Sequence, residues 1–162
     1  MSRVLKLVLV ICGLLAAGIA RAEPISANAI HVVDGDTIDV GDQRYRMIGY
    51  DAPETGDVSW RGVSADEKAL GQIARERLKE LIRTGPLDLG EVPCSCPVQK
   101  LRDGTCNHGR KCAILNLNGR NVGETLIGEE LAVRFRCGRT RCEKMPNWTR
   151  IIETQFPTTR KR

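Results

Sequence analysis

Between Val33 and Thr55 the chain reads VDGDTIDV and then RYRMIGYDAPET, setting Asp34, Asp36, Arg46, Asp51 and Glu54 among apolar residues that alternate as in β-strands. Singly, each acid has an ordinary use. Asp34 before Gly35 suits a hairpin turn, and Asp51 and Glu54 flank Pro53 as in a surface turn. Together they suggest chemistry, because Asp36 opens one expected strand and Asp51 closes the next, so an antiparallel meander brings their carboxylates side by side. Two such carboxylates repel unless a cation lies between them, and hard oxygen ligands select calcium or magnesium. Pro53 restricts Ala52 to an extended conformation, which lets the Ala52 carbonyl turn outward as a further ligand. Glu54 is placed to hold a water beside the ion, and Arg46 carries a planar fork suited to phosphate. Acids, a divalent cation and guanidinium groups make a phosphodiester site.

The elements that must position these residues are legible in outline. Ile30 to Val33 and Thr37 to Val40 are β-branched runs around Asp34-Gly35-Asp36, and Gly41-Asp42 turns the chain into a third strand over Gln43 to Tyr50. Ser64 with Glu67 three residues on forms a capping box. It opens a helix in which Leu70, Ile73, Ala74, Leu78, Leu81 and Ile82 recur at helical spacing, and Gly85-Pro86 stops it. A short strand is expected from Leu87 to Val92 and a cysteine-bearing loop from Pro93 to Gly109. A strand over Lys111 to Leu117 then turns at Asn118-Gly119 into Asn121-Val122, and a short helix covers Gly123 to Leu131. The class is α+β. Three strands, a helix and two more strands is the order of a five-stranded OB-fold barrel, with two to three helices in all.

VVDGDTIDV, YRMIGYDAPE, NHGR and NGRNVGETLIGEELA, in that order from about Ile30 to Phe135, resemble the staphylococcal nuclease (thermonuclease) family. The resemblance implies an OB-fold and a nuclease of DNA and RNA that depends on one calcium ion. It matches Asp36 and Asp51 to the calcium-binding carboxylates and Ala52 to the position that lends a main-chain carbonyl, with Asp34 and Thr37 around them. It matches Glu54 to the general base and Arg46 and Arg110 to the two phosphate-binding arginines. His108 stands where the family often has tyrosine, as a possible substrate contact. The family's long final helix is expected to be shortened or absent, since Cys137 to Pro146 reads as a loop.

Arg3 and Lys6 precede an apolar run from Leu7 to Ala20 that closes on Ala20-Arg21-Ala22, the pattern of a cleavable secretory signal over residues 1–22. About 14 apolar residues fall short of the roughly 20 that span a bilayer. Cleavage leaves 140 of the 162 residues, one domain's worth, and removes three cations and no acids, so the net charge falls from +5 to +2. The domain is expected over 23–136, with a basic tail over 137–162: nine cations lie between Arg134 and Arg162 against Glu143 and Glu153. Such a run serves either as a polyanion surface or as a solvated tail. Localisation is expected to be secreted or periplasmic, the protein monomeric and free of the membrane once cleaved.

Six cysteines survive cleavage, and an even count in an exported chain reads first as disulfides. Cys137 pairs locally with Cys142. Cys94 and Cys96, too close to pair with each other, then reach Cys106 and Cys112 in an order the sequence leaves open. Zinc is the disfavoured rival, because C-x-C spacing departs from the usual ligand pattern. A non-catalytic OB module binding nucleic acid or protein is the alternative to an enzyme. It gives no reason to keep Asp36, Arg46, Asp51, Glu54 and Arg110 together.

Overall fold

A computed structural model of the chain describes residues 22–59 and 61–156. The signal segment and the last three cations therefore lie outside the described residues, Ala22 excepted. The α+β expectation holds, with nine strands and four α-helices among the described residues. A curled mixed sheet is built from β1 (Glu23–Ile25), β2 (Ile30–Val32), β3 (Thr37–Val40), β4 (Gln43–Met47), β6 (Leu87–Val92) and β7 (Lys111–Leu117), in the order β1-β6-β7-β4-β3-β2. The two-residue β8 (Arg120–Asn121) adds to β7, while β5 (Gly49–Asp51) and β9 (Val133–Phe135) form a separate pair. All pairings are antiparallel except β4 with β7, which sets Arg46 opposite Cys112.

Three expectations change. The strand expected over Gln43 to Tyr50 is two strands: Gly49 takes φ +96, a left-handed value that favours glycine, and the chain leaves β3 for β9. The polar lead before Ile30 contains β1, which pairs with β6 and raises the strand number beyond five. The cysteine loop carries α2 (Val98–Arg102), and α4 (Trp148–Gln155) lies in the tail; these bring the helix number to four.

α1 (Ala65–Leu81) starts as its sequence demands, with the Ser64 side chain accepting from the Glu67 N–H at 3.1 Å. Its inward face is Leu70, Ala74, Leu78 and Leu81. Ile73, expected on that face, is 56% exposed, because the buried face is narrower than the apolar stripe. α3 (Val122–Gly128) buries Val122 and Leu126, and these join Val32, Ile38, Met47, Tyr50, Leu78 and Leu115 in one core. α4 packs against α1 and buries Trp148, which is 2% exposed. Among the described residues no helix is long and apolar enough to cross a membrane.

Candidate functional site

The turn between β2 and β3 is tied by the Asp34 side chain, which accepts from the Asp36 N–H at 3.0 Å. Asp36 is thereby directed inward, where one carboxylate oxygen accepts from Thr37 Oγ1 at 3.1 Å and the other from the Ala52 N–H at 2.8 Å. The second bond draws the end of β5 onto the start of β3. Gly35 allows this approach, since a Cβ there would lie 2.6 Å from the Ala52 Cβ.

Arg46, on β4 opposite Thr37, sits between the acids. Its Nη1 pairs with Asp36 and its Nη2 with Asp51 Oδ1 at 2.7 Å. The other Asp51 oxygen accepts from Trp148 Nε1 at 2.9 Å, a buried bond between residues 97 apart in sequence. Glu54 follows from the loop after β5. Its N–H donates to Glu67 Oε1 at 3.4 Å, and the buried Glu67 is forked by Arg61. Only half of the expected capping box therefore forms: Ser64 caps the helix, while the Glu67 carboxylate turns to Arg61 and the Glu54 backbone.

Arg110 is presented by the cysteine loop. Cys96–Cys106 and Cys94–Cys112 close it, with Cα separations of 5.8 and 5.3 Å, and Cys137–Cys142 closes the tail hairpin. Each of the two loop bridges stabilises the fold by about 3 kcal/mol on a chain-entropy basis. Within the loop Asn107, His108 and Gly109 take φ of 51, 57 and 77, a left-handed turn that two of the three residues adopt at a cost. The turn lets Asn107 clamp Arg110 twice, its carbonyl accepting from Nε at 3.1 Å and its Oδ1 from Nη2 at 2.9 Å.

Asp34, Asp36, Thr37, Arg46, Asp51, Ala52, Glu54, His108 and Arg110 all line one cavity of about 960 Å³. Every residue singled out from the acidic and arginine motifs is thus brought to the same cavity, His108 being exposed. A scan of protein-family models finds no match, and neither does a search of curated proteins. What the site can do follows from its own atoms.

Five acids line the cavity, Asp34, Asp36, Asp51, Glu54 and Glu143, against the guanidinium groups of Arg44, Arg46 and Arg110, and burial makes the imbalance felt. Burial, then the Asp36 charge, raises Asp34 from 3.8 to about 7 despite the hydrogen bond it accepts. Burial and Asp36 raise Asp51 likewise to about 7, against the opposing pull of Arg46 and Trp148. Burial and Asp36 also lift Glu54 above the ordinary glutamate value. Burial alone would lower Arg46, yet Asp36 and Asp51 outweigh it and hold it charged. Arg110 is lowered by burial and then by Arg46, so the two guanidinium groups feel each other across the cavity. Carboxylates this poorly neutralised favour whatever brings positive charge, a proton or a cation. Among the described residues no three His, Cys, Asp or Glu side chains form a metal cage. The Asp36 and Asp51 carboxylates are the oxygens at the centre of the acidic cluster, and each already has partners, Arg46 on both, Thr37 and the Ala52 N–H on Asp36 and Trp148 on Asp51.

Sequence reasoning did not find Trp148, Asn107 or the Arg61–Glu67 pair. Trp148 had a signal, since a tryptophan in a basic tail has a face to bury and an N–H to satisfy. Asn107 had a weaker one, as a residue that tolerates left-handed backbone directly before His108-Gly109. Nothing in the sequence marks Glu67 as more than a helix cap.

Proposed function

We propose that the protein is an exported, calcium-dependent nuclease that hydrolyses phosphodiester bonds of DNA and RNA on an OB-fold scaffold of the staphylococcal nuclease kind. The observation that carries this reading is the convergence of Asp36, Arg46, Asp51, Glu54 and Arg110 on one cavity with more acid than base. Three disulfides are in keeping with an oxidising compartment outside the cytoplasm.

A hard divalent ion suits a donor set that is all oxygen, in a cluster where Arg46 is shared between two aspartates and acids outnumber guanidinium groups; Asp36, Asp51 and the Ala52 carbonyl would hold it. The chemistry such an ion would supply there is Lewis-acid polarisation of a phosphoryl oxygen. The chain's own groups do the rest. Glu54, made more basic by burial, takes the proton of a water as that water's oxygen forms a bond to phosphorus. Arg46 and Arg110 donate N–H groups to the phosphoryl oxygens as negative charge grows on them. The bond from phosphorus to the 5′ oxygen breaks, and that oxygen takes a proton from solvent, leaving a 3′-phosphate end. Thr37 and the Ala52 N–H hold Asp36, Trp148 holds Asp51, and Asn107 holds Arg110 in place.

The test is digestion of plasmid DNA and RNA by the mature protein with calcium, with magnesium or with chelator, beside Glu54→Gln. Activity is expected to need calcium and to fall by about 10²–10⁴ in the variant while the fold survives. A variant that digests as fast as its parent removes Glu54 as the base. A parent that binds but never cuts returns the protein to the class of binding modules.

A further inference from the structure

The tail hairpin shares the cavity with the acids: Cys137, Cys142, Glu143 and Met145 line it alongside Asp51 and Arg46. Both ends of this hairpin are pinned to the same residue. β9 pairs Val133 with Asp51, and after the hairpin the chain returns to place the Trp148 N–H on the Asp51 carboxylate. Between these anchors Cys137 and Cys142 form an antiparallel bridge as well as a disulfide, and the Gly138 N–H donates to the Arg141 carbonyl at 2.8 Å. The basic stretch is thus a closed element whose base lines the cavity and whose arginines, Arg139 and Arg141, are exposed beyond it.

Its charges are uncommitted. Elsewhere on the surface Arg44, Arg77, Lys111 and Arg134 each hold a carboxylate. Among the described residues Arg136, Arg139, Arg141 and Lys144 are exposed and form no ion pair. The nearest acid, Glu143, accepts instead from the Arg136 backbone N–H at 2.6 Å, so its carboxylate is engaged in closing the hairpin. Residues 136–147 contain no aromatic ring on which a base could stack.

We propose that the hairpin closed by Cys137–Cys142 is a binding surface for the phosphate backbone of a nucleic-acid strand leaving the cavity, contacted through Arg139 and Arg141. The proposal rests on the nuclease reading of the cavity and adds to it where the strand runs. Guanidinium groups without a stacking partner read phosphate, not base, so the contact is independent of sequence and sensitive to salt.

The test measures anisotropy of a labelled single-stranded oligodeoxynucleotide against the full chain bearing Glu54→Gln, so that the strand is not consumed. Adding Arg139→Gln and Arg141→Gln is expected to make the slope of log K against log salt shallower by about 1.4, at about 0.7 per cation on a single strand. In other terms, about 25-fold of the affinity the parent gains per tenfold dilution of salt is lost. Arg83→Gln with Arg120→Gln, exposed cations away from this cavity, are expected to leave the slope as it was. Near-ultraviolet circular dichroism checks that the hairpin variant is folded. An unchanged slope in a folded hairpin variant overturns the proposal, and so does equally tight binding of poly-glutamate, which would make the surface a general acid binder. If the protein with Glu54 intact binds nucleic acid but hydrolyses none, the nuclease reading fails while the salt slope still decides the hairpin.

Discussion

Replacing Trp148 by phenylalanine isolates the bond that ties the tail to the acids. Trp148 is 2% exposed and donates to Asp51 Oδ2 at 2.9 Å, while Arg46 holds the other oxygen. Phenylalanine keeps most of the apolar bulk and removes the donor, so the cost is that of a buried acceptor losing its partner. For an ionised carboxylate this is about 2–3 kcal/mol, and for a neutral carboxyl about 1 kcal/mol. Because burial and Asp36 place Asp51 near 7, the loss depends on pH, being small at pH 5 and larger at pH 8. Urea unfolding with chelator present, followed by circular dichroism at both pH values, gives the two differences directly. At pH 8 the accompanying fall in Tm is roughly 5–10 °C for a domain of this size. If Trp148→Phe is as stable as its parent at pH 8, or if the loss is the same at pH 5, the indole does not serve the charged form of Asp51.

Two further outcomes follow from the same geometry. Asp34 and Asp51 are raised from 3.8 to about 7, so the stability they contribute is complete below about 4 and is lost as pH rises through 7. Either acid alone carries at most about 4 kcal/mol of this. Calorimetry with chelator should show a lower Tm at pH 8 than at pH 5, with calcium restoring it at pH 8 and doing little at pH 5; an equal calcium effect at both would remove these acids from ion binding. Asn107→Gly relieves a left-handed asparagine but deletes the Oδ1 that holds Arg110, so stability should change by less than about 1 kcal/mol. Hydrolysis of DNA should fall about tenfold or more, because misplacing a group that meets the transition state is costly. A rate that falls only in step with stability would leave Asn107 a scaffold residue.

Much of the site was legible because its residues are local. Asp34 and Asp36 lie in the turn before β3, Arg46 on β4, and Asp51 and Glu54 at and just beyond the end of β5, and strand alternation with Pro53 and Gly35 was enough to bring them together. Arg110 came from the resemblance, since nothing local relates residue 110 to residue 46 until β4 and β7 pair in parallel. What stayed hidden depends on distant contacts. Trp148 reaches Asp51 across 97 residues, and Glu67 takes its role from Arg61 and the Glu54 backbone rather than from its helix. In the fold, the break at Gly49 escaped the strand pattern because both fragments read as extended; only the positive φ separates them. Ile73 shows the reverse error, since periodicity locates a face without giving its width.

Arg46 has both arms on aspartates, and in that posture its fork is turned toward the protein's own acids. A phosphate arriving at such a centre competes with internal anions already in contact with the guanidinium. The arginine comes free when Asp36 and Asp51 acquire another positive partner, which makes the order of arrival matter: cation first, polyanion second. If calcium is that partner, as proposed, oligonucleotide affinity should rise with calcium concentration, and without calcium only the hairpin would be left to engage the strand.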